Sequence, residues 1–183
     1  HERILAVKVD GPTKEQFVWG FRTGMLTFGA KAFFSEDALY NALERKVAGA
    51  IRSAVSNCSQ PAQSVLIKAM SAAEIARQQD EKKAILEARA RKVHEILADH
   101  RFGDLWEPYP FNSGYFMCLK LKSLPAESLR KHLLEKHGVG VIADGERDIR
   151  VAFSAADVDQ LPELFDLIAT AARELSKAQP QPA

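Results

Sequence analysis

Apolar residues crowd the start of the chain. Ile4, Leu5, Ala6, Val7 and Val9 form a run that reads as a buried strand from Ile4 to Val9, closed by the turn signal Asp10-Gly11-Pro12. A second strand-like run, MLTFGA, follows Gly24. Two strands make a poor sheet by themselves. From Ser35 the spacing changes: Leu39, Leu43, Val47 and Ile51 recur four apart behind Ser35 as an N-cap, with Glu36 and Asp37 in the first turn, which predicts a helix. After NCSQ, Pro61 opens a short helix through Met70. Ser71 and Glu74 then make a capping-box pattern that starts a long charged helix to about His100. Ile75, Ile85, Leu86, Val93, Ile96 and Leu97 give that helix one thin apolar stripe, which suits a bridge between two domains.

Past HRFGDLWEPYPFNSG the order becomes strand, helix, strand, strand, helix. YFMCLKL is the first strand, and the helix PAESLRKHLLEKHG begins at Pro125 and ends at Gly138. VGVIA and DIRVAFS flank the turn DGER as a close strand pair, and an amphipathic helix follows, running into QPQPA. These elements form a small α+β unit with helices on one side of the sheet. The resulting division is residues 1–70, a long helix over 71–100, the α+β unit over 101–178, and a tail over 179–183 expected to be disordered.

With 46% hydrophobic and 27% charged residues, the 183-residue chain has the balance of a soluble globular protein with a packed interior. A formal net charge of +1 supplies no global field for nucleic acid or anionic lipid, so any anion site must be local. Cys58 and Cys118 lack metal-ligand spacing and are too few for a disulfide framework, which implies reduced thiols and a cytoplasmic location. No apolar run approaches the roughly 20 residues of a membrane span, and no secretory leader precedes His1. His94, His100, His132 and His137 read as residues of solvated helix faces. His132 and His137 are five apart, where a metal site on one helix face wants four, so no metal site is expected.

Candidate chemistry lies in DGPTKEQFVWGFRTG, residues 10–24. Lys14 follows the strand-ending turn among Pro12, Phe17, Val18 and Trp19. An apolar wall there would lower its pKa by desolvation and free the amine to attack a carbonyl carbon. Arg22 can grip a phosphate with two parallel hydrogen bonds, while Gly20 and Gly24 let the backbone pass close to a ligand. An amine beside a phosphate grip is what an aldehyde carrying a phosphate requires. Taken alone, a loop lysine is ordinarily a solvated charge. Arg150, within DIRVAFS, needs an anion to offset its desolvation; an internal salt bridge to Glu146 or Asp148 is the competing reading.

The order Lys14, Gly20, Arg22, Gly24 resembles the cofactor-lysine signature of the class I and II aminotransferases, the fold type I enzymes that depend on pyridoxal 5'-phosphate. The resemblance implies an α/β fold: two large-domain strands with their helices, followed by an α+β small domain. It implies that Lys14 is the Schiff-base lysine and proton carrier, and that Arg22 contacts the cofactor phosphate. DIRVAFS is similar to the family's late strand, which makes Arg150 the clamp on the substrate α-carboxylate. IRSAVSN, residues 51–57, resembles the segment where aspartate-type members place an arginine for a distal carboxylate in the neighbouring subunit, here Arg52. An arginine that offsets a helix dipole is the other reading of that residue. The chain departs from the pattern with Gly11 and Pro12 before the lysine, leaving Thr13 as the hydroxyl near the phosphate, and with Phe17 and Thr23.

The likeness covers nearly the whole chain but about the C-terminal half of such an enzyme. The aspartate that pairs with the pyridinium nitrogen and the aromatic that stacks on the ring belong before the lysine. The expectation is therefore a C-terminal portion of a homodimeric enzyme that exchanges an amino group between an amino acid and a 2-oxo acid, with no nucleic-acid or membrane partner. By itself the portion should give no turnover, and its first two strands should associate or stay disordered. A β-lyase or decarboxylase on the same lysine, an aminotransferase-like effector domain of a transcription regulator, and an interaction domain in the C-terminal unit are the other readings.

Overall fold

In the computed structural model, which describes residues 4–31 and 35–178, the opening runs pair as a hairpin. β1 (Leu5–Asp10) lies antiparallel to β2 (Met25–Ala30), in register from Leu5 opposite Ala30 to Asp10 opposite Met25. These strands form but are not buried: Val7 is 51% and Val9 75% exposed. The apolar run was read as a covered strand, yet a two-stranded sheet has no second layer to cover it.

The described residues divide into two compact units, one ending at Gln79 and one beginning at Asp80. The first holds the hairpin, the single turn α1 (Pro12–Glu15), α2 (Glu36–Ala54) and α3 (Gln60–Met70). Ser35 caps α2 by accepting the Ala38 N–H at 3.3 Å, as its position before the periodic run predicts. Ser59 caps α3 in the same way, and α3 buries Ala62 and Leu66. Ser71 departs from expectation. Its hydroxyl donates back to the Ile67 carbonyl at 3.0 Å and ends α3, while α4 (Ala73–Leu97) starts two residues on. A serine can satisfy a late carbonyl as well as an early N–H, and here the preceding helix takes it. The boundary between the units falls within α4.

The second unit carries an antiparallel sheet of order β3-β4-β6-β5, formed by β3 (Trp106–Pro108), β4 (Met117–Leu121), β5 (Ile142–Asp144) and β6 (Asp148–Val151). β3 is an addition to the expected elements. Met117, Leu119 and Leu121 alternate inward on β4, while Lys120 faces water. They join Ile149 and Val151 of β6, Leu129 and Leu133 of α5 (Ala126–His137), and Phe165 and Ile168 of α6 (Leu161–Ala178) in one core. Val93 and Ile96 bring the end of α4 into it. The tail expected to be disordered, 179–183, lies outside the described residues.

Phe153, in the short 3-10 turn after β6, is fully buried among these side chains. Phe153→Ala should cost about 3–5 kcal/mol by transfer and cavity together. Gly138 ends α5 at φ 67, with nothing near where a Cβ would stand, so Gly138→Ala should cost only the left-handed backbone penalty, about 1 kcal/mol. Urea unfolding followed by circular dichroism checks both; equal losses for the two variants would contradict this account of the core.

Candidate functional site

Hydrogen bonding of Asp10 opposite Met25 turns residues 11–24 into a closed loop. The base is tight: a Cβ on Gly24 would stand 3.7 Å from the Asp10 carbonyl oxygen. Antiparallel pairing therefore returns the Arg22 end of the loop to the end of the hairpin from which the Lys14 end departs. Within the loop, Pro12 is buried at the start of α1, Thr13 is half-buried, and Lys14 is exposed on the last turn. The apolar wall expected around Lys14 does not cover it in this chain, because the loop projects from a sheet without a covering layer.

Two bulky residues of the loop hold left-handed backbone, Phe17 at φ 56 and Arg22 at φ 52. Such a conformation costs a non-glycine residue about 1–2 kcal/mol. The Gln79 side chain donates to the Gln16 side chain and ties the loop to the first turns of α4. Arg22 donates from Nη1 to the Trp19 carbonyl at 3.4 Å and otherwise faces solvent. It lines an open cavity of about 480 Å³ whose opposite wall is the first turn of α3, at Ser59 and Pro61. Helix N-terminus and guanidinium both favour negative charge there.

Arg52 lies exposed in the last turn of α2 and donates to the Ser56 hydroxyl at 2.6 Å, just past the helix end. That placement satisfies the helix-terminus reading of this residue.

Arg150, in the second unit, is placed differently. It lies half-buried on β6 between Cys118 of β4 and Ile142 of β5. Its Nε is buried and has no hydrogen-bond partner among the described residues, and its guanidinium carbon stands 4.9 Å from the Phe116 ring centre. The competing salt bridge is absent among the described residues: Asp148 instead accepts the Tyr109 hydroxyl at 3.0 Å, which raises the Tyr109 pKa. Arg89 also has a buried unpaired Nε, but its Nη groups donate to the Ser154 carbonyl and, at 2.6 Å, to Asp157. Arg150 has no such carboxylate.

Sequence spacing missed one cluster. His132 and His137 of α5 converge on Glu174 of α6, with Nε2 to Oε2 distances of 2.7 and 2.9 Å. The hydrogen bond from His132, then that from His137, holds the Glu174 carboxyl below its usual range. A spacing rule for one helix does not see a third donor on another.

The family model for aminotransferase class I and II matches residues 10–168. No curated protein matches the chain. Among solved structures, a Pyrococcus horikoshii kynurenine aminotransferase in complex with PMP, KYN and KYA is similar at a TM-score of 0.70 and 17% identity, over 92% of this chain and 41% of that one. An aminotransferase from Anaerococcus prevotii is similar at 0.67 and 22% identity, over 88% and 37%. An α-aminoadipate aminotransferase from Thermus thermophilus, complexed with N-(5'-phosphopyridoxyl)-L-leucine, is similar at 0.62 and 16% identity, over 87% and 40%. At these identities the likeness is one of fold, and the chain spans about two fifths of the length of each.

An arginine kept without a partner should not be a stabilising residue. Arg150→Met removes the buried unpaired Nε while retaining the stem, so the stability of the chain should stay within about 1 kcal/mol or rise. A loss above about 2 kcal/mol in urea unfolding would show that the guanidinium is paired in the folded chain.

Proposed function

This chain belongs to the class I and II aminotransferase family, and on that premise we propose that it supplies the C-terminal part of an enzyme exchanging an amino group between an amino acid and a 2-oxo acid with pyridoxal 5'-phosphate. The observation that carries the reading is Arg150, a half-buried strand arginine with a buried unpaired Nε and no carboxylate beside it among the described residues. A substrate α-carboxylate is the anion that would justify its desolvation.

The residues present fit the cofactor as a donor set. One closed loop offers the Lys14 amine, the Thr13 hydroxyl and the Arg22 guanidinium, and Arg22 opens on a cavity favourable to an anion. When bound, pyridoxal phosphate draws electron density from the substrate α-carbon. Lys14 Nζ would be the covalent attachment point and, once the substrate amine has displaced it, the free amine would carry the α-proton. Arg22 and Thr13 hold the phosphate. Arg150 orients the substrate through its α-carboxylate by a two-pronged hydrogen bond. Arg52 would meet the distal carboxylate of an acidic substrate in the partner protomer of a homodimer, a role with which its bond to Ser56 competes. The two free thiols, Cys58 and Cys118, suit a cytoplasmic setting, and no helix among the described residues is long and apolar enough to cross a membrane.

In the full-length enzyme, Lys14→Ala should remove the visible absorbance of the lysine-bound cofactor and lower kcat by about a thousandfold or more. Arg150→Lys should keep that absorbance and lower kcat/KM for the amino acid by roughly 10- to 100-fold, since an ammonium cannot make the two-pronged pair. Unchanged turnover in the Lys14 variant, or release of ammonia without a 2-oxo acid acceptor, would overturn the assignment. The 183 residues alone should give no turnover in the same assay.

A further inference from the structure

Outside the loop and Arg150, the second unit gathers three metal-ligating side chains at one place. His132 Nε2, His137 Nε2 and a Glu174 carboxylate oxygen all lie within 4.8 Å of one another. Five residues along a helix rotate a side chain by about 140°, so the two imidazoles cannot share a face of α5. They reach a common point from different directions instead, with ring centroids 5.8 Å apart and both rings directed at the same Glu174 carboxylate oxygen. The placement is fixed from both sides. His137 is the last residue of α5, held by the left-handed Gly138 and by the Val139 N–H on the Leu133 carbonyl at 3.1 Å. Ala171 and Ala172 hold the facing part of α6 in the core. Both His side chains are mostly buried, at 22% and 15% exposure, while Glu174 opens to solvent at 45%.

We propose that His132, His137 and Glu174 form a binding site for a single Zn²⁺ ion that clips the end of α5 to α6. Two imidazoles and a carboxylate are a donor set suited to zinc, whereas Mg²⁺ and Ca²⁺ prefer oxygen throughout. An ion at 2.0–2.1 Å from each donor would set neighbouring donors about 3.3 Å apart, so side-chain rotation would open the two His–Glu separations of 2.7 and 2.9 Å by a few tenths and bring the two imidazole nitrogens, now within 4.8 Å, to the same spacing. Zinc would replace the two His–Glu hydrogen bonds, each imidazole presenting its Nε2 lone pair to the ion and carrying its proton on Nδ1. The exposed side of Glu174 leaves the fourth position to water. The site is independent of the transaminase chemistry, because it uses none of the residues assigned to it.

The test is equilibrium dialysis of the EDTA-stripped 183-residue chain against zinc sulfate. About one equivalent should bind in the micromolar range, with a rise of a few degrees in Tm. His137→Asn and Glu174→Gln should each weaken binding by about tenfold or more, since even the partners behind a ligand are worth that much. Cys58→Ser should change nothing. Where a variant fails to fold, the wild-type chain loaded with Co²⁺ decides: ligand-field bands without a thiolate charge-transfer band support the site. A thiolate band, binding only at millimolar zinc, or binding that survives the His132→Asn/His137→Asn double change would overturn it.

Discussion

Leu119 of β4 and Ile149 of β6 lie opposite each other at the middle of the second sheet, both fully buried, and the second unit is organised around covering that pair. Leu129 and Leu133 of α5, Phe165 and Ile168 of α6, and Val93 of α4 form the second layer that a half-apolar sheet requires. Each such side chain fully removed from water contributes about 1.5–3 kcal/mol. The hairpin of the first unit has the same apolar residue types without the layer. Its strands keep their register through backbone hydrogen bonds, while their side chains stay in water. The difference between the two units is one of coverage rather than of composition.

Coverage also decides how charged groups behave. Among the described residues, ion pairs such as Lys83 with Glu87 or Arg130 with Glu127 lie along helix faces open to solvent and contribute little. Arg150 lies half-buried in its sheet over the Phe116 ring, with no carboxylate bonded to it among the described residues, and its buried, unbonded Nε is a cost to folding. The Lys14 loop has the opposite character: its charged groups are exposed.

Much of this was legible in the residues. The fourfold spacing from Leu39 to Ile51 and the cap at Ser35 located α2, and the run YFMCLKL located β4. Residue types at the Lys14 and Arg22 spacing pointed to the family whose model the chain matches. Other features depend on contacts that spacing does not encode. β3 is three residues long and includes Pro108, so neither length nor propensity marks it; pairing with β4 makes it a strand. Ser71 fits either end of a helix, and neighbouring carbonyls chose. Ile4 to Val9 has the composition of a covered strand, but burial depends on what packs against it. His132, His137 and Glu174 meet only because α5 and α6 pack together.

The left-handed Phe17 has a further consequence. A ring-bearing residue would leave φ 56 if its neighbours allowed it, so the turn between Lys14 and Arg22 is kept by its moorings, the Asp10–Met25 pair below and Gln79 at Gln16. Residues with no chemistry of their own thus help to hold the backbone that carries the amine and the guanidinium.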